Sequence, residues 1–94
     1  MNVALLRIDF HLSGCRSLKD KRQRLKGIRD RFGRAANVAV CESRHQDSLQ
    51  RAQWSFVAAA SSADVVDQTL GDIERNLQMS VDAEVVEVWR EWLV

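Results

Sequence analysis

The sequence predicts an α+β sandwich in which two helices cover one face of a four-stranded antiparallel sheet. The prediction comes from strict apolar alternation in the first segment, helical apolar spacing in two others, and the order strand-helix-strand-strand-helix-strand. The chain has 94 residues, which suits a single domain over 1–94. Its 46% hydrophobic and 29% charged residues are typical of a globular protein rather than a disordered one.

The first strand and the first helix are predicted from two different periods. Residues 3–12 alternate as in a strand with one apolar face. The apolar set on that face is Ala4, Leu6, Ile8, Phe10 and Leu12. Ser17 is a suitable N-cap for the helix that follows. The apolar seam of this helix is Leu18, Leu25, Ile28 and Phe32, and Gly33 lies near its predicted end.

The second half of the chain is predicted, by the same two periods, to contain two strands, a helix and a last strand. Residues 37–44 and 51–61 are predicted strands, separated by a short polar turn. Ser61 or Ser62 can cap the second helix, whose seam is Val66, Leu70, Ile73 and Leu77. The last strand is predicted over 82–94. Right-handed crossovers arrange this order as a ferredoxin-like sandwich, with the strands in the order 4-1-3-2.

Charge is distributed unevenly along the chain, although the net charge is only +1. Residues 16–34 hold nine basic and two acidic side chains, while residues 62–94 hold eight acidic and two basic ones. A helical projection places four cations on one flank of the first helix: Lys19, Arg22, Lys26 and Arg29. Such a flank suits the phosphodiester backbone of RNA, which is bound largely through charge. The alternative is a solvated flank, or one paired with the acidic second helix.

A second candidate anion site lies at the start of the first helix. Free N–H groups at Ser17, with Arg16 and Lys19 beside them, could hold a phosphate. The predicted topology brings the turn between strands 2 and 3 to the same end, with its cations Arg44 and Arg51. The alternative is an ordinary capped helix beside a polar hairpin.

Other kinds of chemistry find little support in the sequence. The two cysteines, Cys15 and Cys41, are too few for a disulfide framework and suggest reduced thiols in a cytoplasmic protein. Cys15 could be reactive at a helix start, or it could be an incidental thiol. No metal-ligand spacing, phosphate loop or nucleophile motif is present, so we expect no metal, no cofactor and no enzymatic activity. We also expect no signal peptide and no membrane span.

The last strand is apolar on both sides, which predicts a homodimer. One set of its apolar residues is Val86, Val88 and Trp92, and the other is Val85, Trp89 and Leu93. The helices cover only one face, so we expect a dimer interface on the open face, formed by Leu5, Val85, Trp89 and Leu93. The alternatives are scattered surface hydrophobic residues, which are common, and a bulge in this strand that turns Trp89 inward.

Base stacking on the open face of the sheet, as in an RNA-recognition motif, is disfavoured. That mechanism needs aromatic side chains on the exposed face of strands 1 and 3. The predicted strands place Phe10, Trp54 and Phe56 on the side of the helices. Any RNA contact is therefore expected through the first helix.

The run Ser17-Leu18-Lys19-Asp20-Lys21-Arg22 resembles the YlxP-like family of small bacterial proteins. The resemblance covers nearly the whole chain, and its further matches are Asn37, Val38, Ala39, Val40, Glu42, Asp47, Gln50, Arg51 and Ala52. The chain departs from the family pattern at Ala36, Leu49 and Ser55. The resemblance implies a ferredoxin-like fold and a role associated with RNA or the ribosome, and it brings no catalytic residues.

These observations together favour a cytoplasmic accessory factor that is not an enzyme. It would dock on structured RNA or the ribosome through the first helix. The alternative is a homodimeric protein-interaction module whose basic helix binds an acidic protein.

Overall fold

One face of a four-stranded antiparallel sheet carries all the helices of the molecule. The computed structural model describes residues 1–94. Its elements are β1 (Asn2–His11), α1 (Leu18–Arg24), α2 (Ile28–Phe32), β2 (Val38–Arg44), β3 (Arg51–Ala60), α3 (Ala63–Ser80) and β4 (Glu84–Trp92). The strands lie in the order β2-β3-β1-β4, so the predicted ferredoxin-like arrangement is confirmed.

The core lies between the sheet and the helices, where the sequence predicts it. Alternate residues of β1 face the helices and pair across the ladder with β3, as Leu6 does with Phe56 and Ile8 with Trp54. The whole predicted seam of α3 is buried against them. Each large aliphatic side chain buried here contributes about 1.5–3 kcal/mol. Ser62 is the N-cap of α3, with its Oγ accepting from the Val65 N–H at 3.4 Å.

The first helix is not continuous, and the prediction of a single helix is wrong. The chain turns between Leu25 and Ile28, and both of these side chains are buried in the core. Gly27 occupies the turn with φ of +91°, a left-handed conformation that side chains with a Cβ rarely adopt. Its carbonyl accepts from the Arg31 N–H at 2.7 Å, which begins α2. Helical projection across residue 27 therefore fails.

Lys21 is buried inside the molecule, which the sequence analysis did not predict. Its side chain is only 4% exposed. The Nζ ammonium donates to the carbonyl oxygens of His45 at 2.8 Å and Ser48 at 2.7 Å, both in the β2–β3 turn. Burial of an ammonium is tolerated only with such partners. Lys21 thus takes a buried position of α1 between Leu18 and Leu25, where the seam has no apolar residue. Leu18, which was predicted to begin the buried seam, is instead 44% exposed.

A bulge in β4 changes which of its residues reach the open face. Asp9 pairs with Glu87, but the next residue of β1, Phe10, pairs with Val85. The bulge turns Val85 toward the core, so the prediction that it lies in an outward interface is wrong. Trp89 stays on the open face, where it is the register partner of Arg7 on β1. The bulge does not affect it, because the bulge lies before Trp89 in the chain.

Replacing the buried ammonium should destabilise the fold measurably. In a Lys21→Met variant the carbonyl groups of His45 and Ser48 lose their donor, while the stem of the side chain keeps most of its packing. We expect the free energy of unfolding in urea to fall by about 1–3 kcal/mol. Amide hydrogen exchange should also become faster in the β2–β3 turn.

Lys19→Met is the matched control, since Lys19 is exposed on the same helix. Its effect should stay within about 0.5 kcal/mol. Equal stability of the two variants would show that the Lys21 contacts do not hold the turn.

Candidate nucleic-acid interface

Three of the four cations predicted to lie on one flank meet around a single cleft at the α1–α2 turn. The cleft has a volume of about 380 Å³. Its lining consists of Arg22, Leu25, Lys26, Gly27, Arg29, Asp30, Glu42 and Trp54. Lys19, the fourth cation, is exposed on α1 outside this lining. The break at Gly27 therefore places basic side chains from two helices around one concave surface.

The cations of the cleft form no ion pair within the chain, although two carboxylates, Asp30 and Glu42, line the cleft with them. The ion pairs of the molecule involve only Arg24, Arg75 and Arg90 as cations. On α3, Asp72 pairs with Arg75 of the same helix, and Asp67 and Glu74 pair with Arg90 of β4. The alternative that the acidic helix forms ion pairs with Arg22, Lys26 and Arg29 is therefore wrong, whereas the alternative of a solvated flank is not contradicted.

Two further basic side chains, Arg24 and Arg31, serve the fold instead. Arg24 donates to the Ser13 carbonyl at 2.7 Å and pairs with Asp20 at 3.2 Å. Arg31 donates to Asn76 and Ser80 of α3, each at 2.6 Å. Together with Lys21, these arginines explain why the nine basic residues of the segment are not one uniform surface.

The floor of the cleft is formed by a neighbouring pair on the sheet. Glu42 of β2 and Trp54 of β3 are partners in the strand register. Trp54 is 7% exposed, and its indole Nε1–H has no hydrogen-bond acceptor in the protein. The guanidinium of Arg29 lies over the indole, with 5.6 Å between its central carbon and the ring centroid, a cation–π distance.

The start of α1 has the predicted cap. The Ser17 Oγ accepts from the Asp20 N–H at 3.0 Å, and Arg16 is exposed beside it. Lys21 holds the β2–β3 turn against α1, so the prediction that this turn and the helix start share one end is confirmed. Arg44 and Arg51 are exposed at the strand ends that flank the turn. Phosphate binding by these residues stays a prediction.

The remaining chemistry-bearing groups are dispersed. No three His, Cys, Asp or Glu side chains lie close enough together to hold a metal ion. Cys15 is buried, and its Sγ donates to the Ser17 carbonyl at 3.5 Å, whereas Cys41 is exposed and free. A buried thiol is closed to reagents, which favours the incidental interpretation of Cys15. None of the helices has the length and apolar character needed to cross a bilayer.

The open face of the sheet carries an apolar edge. Trp89 is 46% exposed and Leu93 is 49% exposed. Leu5 is half-buried on the same face, and the Arg7 guanidinium carbon lies 5.5 Å from the Trp89 ring centroid. The aromatic side chains of β1 and β3 are buried toward the helices, as predicted. This face therefore lacks the stacking platform of an RNA-recognition motif.

Solved structures similar to this chain share its fold at low sequence identity. A structural-genomics protein called YJCS aligns with a TM-score of 0.57 at 9% identity, covering 95% of this chain and 96% of its own. A Bordetella bronchiseptica protein described as a "Putative antibiotic biosynthesis monooxygenase" aligns with a TM-score of 0.59 at 17% identity, covering 100% and 99%. At such identities the likeness shows the fold alone.

Sequence comparison places the chain in a family whose function has not been assigned. No curated protein matches the sequence significantly. A family model described as "Protein of unknown function (DUF503)" matches residues 3–90. The chain belongs to the DUF503 family.

Proposed function

We propose that the protein is an accessory factor, without enzymatic activity, that docks on structured RNA such as that of the ribosome through the surface around the α1–α2 turn. The observation that carries this proposal is the group of three cations, Arg22, Lys26 and Arg29, that line one cleft and form no ion pair within the chain. The resemblance of the Ser17–Arg22 run to the YlxP-like family supports the same role, since it implies an association with RNA or the ribosome.

Docking of this kind would be electrostatic. Phosphates that contact the basic side chains release condensed counterions, which supplies a large share of the binding free energy. Such contacts fix the position of the protein on the RNA without reading its sequence. Lys19 extends the cationic surface along α1, and the capped start of α1 with Arg16 lies beyond it. Because these cations form no ion pair within the chain, pairing does not explain their clustering, and a polyanionic partner would.

Reversing charge at the cleft should weaken RNA binding strongly. In the double variant Arg22→Glu with Lys26→Glu, two exposed cations become anions that repel phosphate. We expect the dissociation constant for a ribosomal RNA fragment to rise by at least about tenfold, since each phosphate contact contributes to affinity. Fluorescence anisotropy measures the binding, and circular dichroism checks that the variant is folded.

A charge-matched control separates the local effect from that of net charge. The triple variant Arg75→Glu, Gln68→Glu and Gln78→Glu changes the net charge of the protein by the same amount, on exposed positions of α3. Its dissociation constant should rise by less than about threefold, because charge far from the contact is screened by salt. If both variants weaken binding equally, the cleft is not the docking surface.

The second candidate function is a homodimeric protein-interaction module whose basic helix binds an acidic protein. The observation that favours it is the exposure of Trp89 and Leu93 on the open face next to Leu5. Exposed aromatic anchors of this kind are typical of interface centres. Salt titrations of binding to RNA and to an acidic polypeptide distinguish the two candidates. The true partner should have the lower dissociation constant at each salt concentration.

The dimer itself can be tested at Trp89. A Trp89→Lys variant places a charge in the proposed interface, so light scattering should report a folded monomer where the parent is a dimer. Trp92→Lys is the control, because Trp92 pairs with Ala4 on the opposite side of β4 and should leave the dimer intact. A monomeric parent would refute the dimer.

A further inference from the structure

The floor of the basic cleft offers one hydrogen-bond acceptor and one donor side by side. Glu42 and Trp54 are direct partners on neighbouring strands, and both line the cleft. The carboxylate of Glu42 makes no ion pair, although three cations line the same cleft. The indole N–H of the buried Trp54 donates to no acceptor in the protein. A buried donor of this kind gains from an acceptor that a ligand brings.

The rest of the cleft suits the phosphate and the flat base of a nucleotide. Arg22 and Lys26 supply positive charge at the helical wall. The Arg29 guanidinium is exposed and lies over the indole, so it offers a planar surface on which a base can stack. The cleft, with a volume of about 380 Å³, is open to solvent, so one nucleotide of a longer chain can enter it from the side.

We infer that this cleft receives one unpaired nucleotide of the RNA and prefers guanine. The Watson–Crick edge of guanine carries two adjacent donors, N1–H and N2–H, which match the two oxygens of the Glu42 carboxylate. It also carries the O6 acceptor, which matches the Trp54 N–H. The other three bases lack the adjacent pair of donors. This inference rests on the proposed function and adds a base preference to it.

The preference can be measured with ten-nucleotide oligouridine RNAs that carry guanine, adenine, cytosine or uracil at one central position. We expect the RNA with guanine to bind about tenfold more tightly than the other three in fluorescence anisotropy. Glu42→Gln should abolish the preference, because an amide offers one acceptor and one donor where guanine needs two acceptors. Its overall RNA affinity should be equal or higher, since one negative charge is removed.

Two further variants complete the test. Trp54→Phe keeps a ring and removes only the N–H, so it should reduce the guanine preference by about fivefold. Glu84→Gln is the matched control for Glu42→Gln. It makes the same chemical change on β4, at the opposite edge of the sheet, and should keep the full preference. Thermal unfolding checks that each variant is folded.

The outcomes distinguish this inference from the proposed function. If the parent protein binds all four RNAs equally, the inference is overturned and RNA docking stands. A guanine preference that persists in both Glu42→Gln and Trp54→Phe also overturns it, because the base would then be recognised elsewhere. If none of the four RNAs, nor structured RNA, binds at all, the proposed function fails and the inference fails with it.

Discussion

The buried ammonium of Lys21 is the contact on which the arrangement of the proposed RNA-binding end depends. It joins the first helix to the turn between β2 and β3 through two carbonyl groups, at His45 and Ser48. His45 has φ of +66°, a conformation that a non-glycine residue keeps only when its surroundings hold it there. Because Lys21 points inward, its neighbour Arg22 points outward and reaches the cleft.

The basic segment therefore divides into side chains that build the fold and side chains that remain for a partner. Arg24 and Arg31 fasten the helices to the loop before α1 and to α3, so their charge is used within the chain. Gly27 ends α1 early, and the cations on both sides of the turn then line the same cleft. Below them, Glu42 and Trp54 of the sheet line the same cleft, and the proposed docking through charge and the inferred recognition of a base both rest on this arrangement.

Strand period and helix seams were sufficient to predict the sheet order and the core, because burial on one face imposes a regular spacing. The exceptions have local causes. Lys21 lies in the seam of the first helix, in the seven-residue interval between the apolar residues Leu18 and Leu25. Its burial could not be predicted, because a lysine is ordinarily solvated and its two carbonyl partners come from a turn distant in the sequence. Gly27 was the sequence signal for the helix break. The apolar residues on both sides of β4 allowed for a bulge, but they did not fix its position, which turns Val85 rather than Trp89 toward the core.

The central claim, that structured RNA docks at the α1–α2 turn, is tested most directly by NMR titration of the isotope-labelled protein with a ribosomal RNA fragment that contains an unpaired loop. The account predicts the largest amide shifts over residues 22–30 and at Glu42, together with a shift of the Trp54 indole N–H signal. The indole signals of Trp89 and Trp92 should stay in place, because both side chains lie on β4. Shifts confined to Trp89 and the open face, or no shifts at all, would contradict the account.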